Sequence, residues 1–393
     1  MSKAWPLVKL GEVISQRKEF ITIDDAQEYM RCRVKLHAKG IVLRDRVTGS
    51  EIKTKQQQVC RAGEFLVAEI DAKVGGFGIV PDELEDSIVS SHYFLFTIDS
   101  AKLNKKFLDF YSKTPTFREQ VNAKGSTNYA AIRPQEVLNY TIPLPPLAEQ
   151  QRIVAKIERL AGKIKEARKI NERRSEETEL LRYSSLRKFR NKVLNSSEYK
   201  KDKLGLITKI TAGGTPSRDN PSYWNGNIPW IKTGELLDND IESSQEFITE
   251  IGIKDSSTKI FPQDTILIAL YGQGQTRGRT GRLLIPAATN QACCAIFPNN
   301  SKFEPRYIQY WLRSLYVELR EKAKGGAQPN WNSSTIKNIE IALPPLLVQH
   351  HIVNYLDNLQ AKIDHLKIIQ AQTTTQLDAL LPSILDKAFK GEL

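Results

Sequence analysis

Two stretches 199 residues apart constrain this chain more than anything else in it. "IPLPPLAEQQRIVAKI", residues 142–157, and "IALPPLLVQHHIVNYL", residues 341–356, each join a double proline to the start of a long helix-like pattern. At the same offset Gln150 meets Gln349, Ile153 meets Ile352 and Lys163 meets Lys362. The register holds to the end of the chain, where Leu181 aligns with Leu380, Leu186 with Leu385 and Lys188 with Lys387. A segment repeated without a gap over about 50 residues has a selected length, and such repeats must be found before a fold is assigned. The starts of the two units echo as well, in "KLGEVI" from Lys9 and "KLGLIT" from Lys203, and so do "AKGSTNYAAI" around Lys124 and "AKGGAQPNWN" around Lys324. The chain reads as a tandem duplication with domains at 1–144 and 195–343 and helices at 145–194 and 344–393.

Within each helix the apolar residues step by four and three. Ile153, Ile157, Leu160, Ile164 and Ala167 make one seam; Ile352, Leu356, Leu359, Ile363 and Leu366 make the other. That stripe needs a partner helix. Pro145, Pro146, Pro344 and Pro345 suit a helix start, where a missing N–H would be unbonded anyway. Both seams turn polar at matching places, Asn171 and Arg174 in one and Gln370 and Thr373 in the other. Loose packing and a register-fixing polar layer are both open readings of that change. Helices of about 45 residues would span about 65 to 70 Å. Paired antiparallel, they would carry two similar readers to opposite ends. The expected class is α+β: two globular domains with mixed twisted sheets, separated by two long helices in an antiparallel coiled coil, with pseudo-two-fold symmetry.

Charge points to an anionic partner. The net charge of +12 favours nucleic acid first and acidic protein second. Residues 146–194 hold 14 Lys and Arg against 7 Asp and Glu, whereas residues 345–393 hold 4 against 5. A solvated helix face is the bland reading of that excess. No apolar run reaches the roughly 20 residues of a membrane helix, and "MSKAWPLVKL" lacks a signal peptide's apolar stretch, so a cytoplasmic location without membrane contact is expected. Cys32, Cys60, Cys293 and Cys294 fit neither a disulfide framework nor a metal-ligand spacing.

The domains read as short strands broken by Gly, Pro and Asn turns. "AGEFLVAEI" and "DTILIALYG" are the clearest strands, each followed by a glycine-rich turn. Arg277, Arg279 and Arg282 in the second of these turns suit phosphate or guanine edges, because a guanidinium fork matches either acceptor pair. Tyr223, Trp224 and Trp230 in "PSYWNGNIPWIKTGEL" read better as core wedges than as ligand contacts. Catalytic motifs fail. Gly272 and Gly274 lack the third glycine of a dinucleotide loop, no Walker lysine exists, and "NPSY" at Asn220 departs from the N-P-P-Y of adenine methyltransferases at Ser222. Asp71 and Lys73 lack the upstream acidic partner of a nuclease metal site, and His37, His92, His350, His351 and His365 are scattered.

The repeated "LPPLAEQQRIVAKI" and "LPPLLVQHHIVNYL", the closing "LLPSILDKAFKGEL" and "GGTPSRDNPSYWNGNIPWIKTGEL" together resemble the specificity subunit of type I restriction-modification systems over essentially the whole chain. The resemblance implies a non-catalytic DNA-binding subunit whose two target-recognition domains each read half of a bipartite site on double-stranded DNA. The coiled coil would set the gap and dock two methyltransferase subunits for adenine N6 methylation, and a restriction subunit would add cleavage. S-adenosylmethionine, ATP and Mg would sit on those partners, and no cofactor or metal on this chain. Only the second domain carries "GGTPSRDNPSYW"; the first has "RKEFITIDDAQEYMRCRVKL" there, so the half-sites should differ. Base and phosphate chemistry favours Lys53, Lys55, Gln57 and Lys73 as DNA contacts in the first domain, with Lys124 a further candidate, and the resemblance of "EIDAKVGGFGIVPDELEDSIVSSHYFLF" to the strand-loop-strand of some recognition domains in the family adds Ser91 and His92. In the second the same chemistry favours Thr215, Ser217, Arg218, Lys232, Tyr271, Gln273, Gln275, Arg277, Arg279 and Arg282. Two other classes stay open: a self-contained methyltransferase or nuclease, and a coiled-coil scaffold that does not touch DNA.

Overall fold

Both double prolines end where a long helix begins. In the computed structural model, which describes residues 5–121, 131–271, 276–322 and 332–393, the central helix runs Leu147–Leu194 and the C-terminal helix Leu346–Phe389. Each starts two residues later than the prolines suggested. The carbonyls of Pro146 and Pro345 take the first bonds, from Glu149 and Gln150 and from Val348 and Gln349. Past Phe389 the chain turns back with Gly391 left-handed at φ 74°, and Glu392 N–H donates to the Lys387 carbonyl.

The chain forms two units, residues 1–171 with 372–393, and residues 172–371, so the division falls within both helices. In each unit one helix half pairs with a half of the other, and in each the pairing is antiparallel. Arg152 reaches the Leu393 carbonyl, Arg168 pairs with Asp378 at 2.7 Å, and Asn171 donates to Thr374 at 3.0 Å. In the second unit Gln370 donates to Thr178 at 2.9 Å and Lys367 pairs with Glu179. Asn171 and Gln370 thus both bond across the helix pair, the register-fixing use of a polar position.

The seams differ from the expectation at several positions. Ile153, Ile157, Ile164, Leu356 and Ile363 are buried, whereas Leu160, Ile352 and Leu359 are only half-buried and Leu366 is 42% exposed. Moreover, Ile153 and Ile157 join Leu385 and Ala388 in the phenylalanine-rich core of the first domain, and Leu356 joins Leu186 and Val193 in the core of the second. The apolar stripe therefore serves domain packing as well as helix pairing. Periodicity alone cannot separate these two uses, because both ask for the same face.

The duplication is visible bond by bond. Leu7–Lys9 pairs antiparallel with Thr141–Pro143, and Lys200–Lys203 with Glu340–Leu343, in one register: Lys9 opposite Thr141, Lys203 opposite Glu340. Gln150 and Gln349, both fully buried, are used identically. Each accepts from a backbone N–H, of Asn104 or Glu304, and donates to two carbonyls, of Lys102 and Pro145 or of Lys302 and Pro344.

Each domain also holds a four-stranded antiparallel run of the same order. In the first it is Ile14–Arg17, Tyr93–Ile98, Phe65–Ala68, Phe77–Ile79; in the second, Ile210–Ala212, Cys293–Ile296, Ile266–Ala269, Thr280–Leu283. The second domain extends this run with Asn239–Ile241, parallel to Thr280–Leu283. The remaining sheets differ: five strands in the first domain, in the order Phe20–Thr22, Gln56–Val59, Ile88–Val89, Glu28–Val34, Ile41–Thr48, and three in the second, Phe247–Ile248, Trp224–Ile231, Ala288–Thr289. The fold is α+β, two sheet-rich domains separated by one long helix and followed by another. Among the described residues no helix is long and apolar enough to cross a membrane.

Candidate nucleic-acid interface

In the second domain the stretch from Gly213 to Glu235 builds a clamped, cationic turn. Trp230 is buried and its indole N–H donates to the Gly214 carbonyl at 3.0 Å; Trp224 meets it edge to face and donates to the Ser217 carbonyl at 2.9 Å. Gly214 must be glycine, since a Cβ there would lie 2.6 Å from the Thr258 nitrogen. The tryptophans thus act as wedges, as their apolar bulk suggested, and their N–H groups hold the turn. The Arg218 guanidinium lies on the Trp224 ring, 3.6 Å from its centre, with about half of its side chain in solvent. Glu246 bridges it, at 2.7 Å, to Lys232, at 2.6 Å. The Lys232 hydrogen bond holds the Glu246 carboxyl below the usual carboxylate range, against the opposing effect of burial, with Arg218 adding to the shift. Ser217 is exposed beside them, and Thr215 is bonded to Gln291.

The arginines after Tyr271 divide. Tyr271 is exposed, and Arg277 is half-buried with no hydrogen bond or ion pair among the described residues. Gln273 and Gln275 lie outside the described residues, as does Lys124 of the first domain. Arg279 and Arg282 were expected on an open loop, and the structure corrects this. Arg282 lies within the strand Thr280–Leu283 and pairs with Asp240 at 3.1 Å; Arg279, next to that strand, pairs with Asp238 at 2.8 Å. Both are less than one-fifth exposed. Arg279 lines a cleft of about 820 Å³ together with Arg182, Arg306 and Arg313. Burial lowers the proton affinity of the Arg313 guanidinium, which donates to Gln360 at 2.6 Å. Arg182 and Arg190 of the central helix are buried too, so part of that helix's positive charge is structural rather than solvated. Sequence reading missed this, since charge counting does not say which side of a helix a cation faces.

In the first domain the expected residues serve unequal purposes. Gln57 is buried and spends its amide on the Thr54 carbonyl at 2.7 Å, while Lys55 binds Asp25 and the Gly49 carbonyl. Lys53 is exposed on the rim of a cavity of about 360 Å³ that Gln57 also lines. Ser91 and His92 are exposed, with the His92 ring 2.7 Å from Glu69. Lys73 is exposed on a short helical turn, Asp71–Val74, that follows the strand Phe65–Ala68.

No group of three or more His, Cys, Asp or Glu able to hold a metal ion occurs among the described residues. What the exposed groups offer is hydrogen-bond donation and positive charge on turns, the chemistry of phosphate and base-edge contacts.

The family described as "Type I restriction modification DNA specificity domain" matches residues 2–173 and 196–374. The chain is 32% identical over 158 residues to the EcoR124I/EcoR124II type I restriction enzyme specificity subunit of Escherichia coli, a match covering 39% of each protein. It is 24% identical over 345 residues to the EcoBI specificity subunit of the same organism, covering 79% of this chain and 70% of that one. The chain thus spans well under half the length of the first of these relatives. A chain in the solved structure of a type I R-M system superposes with a TM-score of 0.76 at 24% identity, covering 100% of this chain and 99% of that chain.

Proposed function

The chain belongs to the type I restriction-modification DNA specificity family, and from that premise we propose that it is the DNA-reading, non-catalytic subunit of such a complex. Each domain reads one half of a bipartite site on double-stranded DNA, and the repeated helices set the gap and dock two methyltransferase subunits. Those partners carry S-adenosylmethionine and methylate adenine N6; a restriction subunit, with ATP and Mg, supplies cleavage. The setting is cytoplasmic.

The observation that carries this reading is a conserved frame with divergent additions. The strand pair before each helix, the buried glutamine and the four-strand order are the same in both units. The second sheets are not, and neither are the exposed cations of the two domains, Arg33 and Arg46 on sheet strands in the first and Arg218 on a turn in the second. Two equivalent docking sites need equal frames, and an asymmetric DNA sequence needs unequal readers.

Mapping methylated adenines in DNA from cells that express this chain with its neighbouring methyltransferase, and with each omitted, tests the proposal. An asymmetric bipartite motif that requires both is expected. Methylation by the chain alone would restore the self-contained enzyme. Absence of any duplex binding that weakens steeply with added salt would favour the scaffold, because phosphate contacts release counterions.

A further inference from the structure

The five-stranded sheet of the first domain ends in its two longest strands, Glu28–Val34 and Ile41–Thr48, joined as an antiparallel ribbon with the second at the sheet edge. Residues 28–48 carry six lysines and arginines against two acidic residues. Arg31 is held by Asp45 through two bonds of 2.7 and 2.8 Å, which consume one of those two acids. Arg33 and Arg46 are exposed and make no ion pair among the described residues.

Arg44 stands apart. Arg31 lies opposite Asp45 but Cys32 lies opposite Leu43, so Arg44 is the extra residue of a bulge. A bulge bends a strand and re-aims the side chain it carries. Arg44 is 55% exposed, only loosely near Asp45 at 3.5 Å, and lines the 360 Å³ cavity with Arg31, Lys53, Gln57, Ser90 and Tyr93.

The ribbon is also anchored. At its tip His37 and Ala38 are left-handed, with φ of 62° and 55°, and their N–H groups donate to the carbonyls of Val74 and Gly75 at 2.6 and 2.8 Å. Gly75 has φ 78°, and a Cβ there would sit 2.6 Å from the Ala38 nitrogen, so the glycine permits the contact. An anchored, cationic two-stranded ribbon is one of the two protein elements that fit the major groove of B-DNA.

We propose that this ribbon is the element with which the first domain reads base edges in the major groove, and that Arg33, Arg44 and Arg46 determine its half-site. The proposal rests on the DNA-recognition reading above. Its rival is edge protection, since charges on an edge strand keep it from pairing with other chains. Lysine separates the two: it keeps the charge that protects an edge but loses the planar fork that grips guanine.

Arg33→Lys, Arg44→Lys and Arg46→Lys are therefore introduced singly into the chain expressed with its methyltransferase, and methylated adenines are mapped. Thermal unfolding matched to wild type verifies that each variant folds. At least one variant is expected to lose about tenfold or more discrimination at a base of one half-site, with the other half-site and the spacer unchanged. That half-site must differ from the one altered by substitution of Arg218 or Arg277. Unchanged discrimination in all three, or weakening that is uniform across sequences, overturns the ribbon as reader. A wild-type chain that yields no bipartite motif overturns the recognition reading and the ribbon with it.

Discussion

Gln150 and Gln349 show how a single polar side chain can position a long element. Each is fully buried, accepts one backbone N–H and donates to two carbonyls, joining the start of a long helix to the loop that precedes a domain helix. Replacing either with alanine leaves buried backbone groups unpaired, at about 1 to 3 kcal/mol for each group left unsatisfied. We expect Gln150→Ala and Gln349→Ala to lower the midpoint of denaturant unfolding by similar amounts, and unequal losses would show that the two junctions are not energetically equivalent. Glu246 supports a second expectation. A carboxyl depressed in the folded state contributes stability above its ordinary value, and that contribution is lost as pH falls through the depressed folded value. Glu246→Gln should therefore flatten the loss of stability on acidification below about pH 4.3, where an unperturbed glutamate titrates. A wild-type acid profile in that variant would assign the acid sensitivity to other carboxyls. The match of Gln150 with Gln349 was visible in sequence, but its use was not: equal spacing shows that two residues share a role, and only the carbonyls around them show which.

At the scale of elements, the helices and the strands Phe65–Ala68 and Ile266–Ala269 were legible because local pattern determines them. Double prolines mark a start, a step of four and three marks a helix face, and apolar β-branched runs before glycine mark a strand. The ion-pair cluster of Arg182, Arg279 and Arg306 was not legible, because its bonds to Asp238 and Asp240 join residues 41 to 66 positions apart, which no local rule encodes. The bulge at Arg44 is of the same kind, since a one-residue slip depends on the partner strand. Helix length, by contrast, was legible in the sequence to within four residues at each end. Inserting one heptad in both helices adds about 10 Å to each. Under the proposed function the unread spacer should then grow by about three base pairs at 3.4 Å each, with both half-sites kept. A methylation motif whose spacer stays the same would remove the helices as its determinant. Insertion in one helix alone should instead break the antiparallel match within a unit, where Arg168 meets Asp378 and Thr178 meets Gln370, and reduce stability rather than shift the spacer.

For the molecule as a whole, duplication followed by divergence separates what must be equal from what must differ. The frame repeats hydrogen bond by hydrogen bond, while the proposed readers differ: a basic ribbon in the first domain and a tryptophan-clamped turn bearing Arg218 in the second. Changes to one reader should therefore leave the other half-site intact. Arg218 and Arg277 are the second-domain arginines suited to this test, because Arg279 and Arg282 are committed to Asp238 and Asp240. Substituting Arg277 by alanine should cost about 1 to 3 kcal/mol of discrimination at one base if its fork meets a guanine edge. Arg218 is stacked on Trp224 and shared with Glu246, so its alanine variant tests a preorganised cation rather than a free one. A phosphate contact would give a different result: binding weakened evenly over all sequences, with a shallower dependence on salt by about one unit of slope. Measuring methylation motifs and salt dependence on the same variants assigns each arginine to base or backbone. Loss in both half-sites from either substitution would mean that the two domains do not read independently, and the separation of frame from reader would fail.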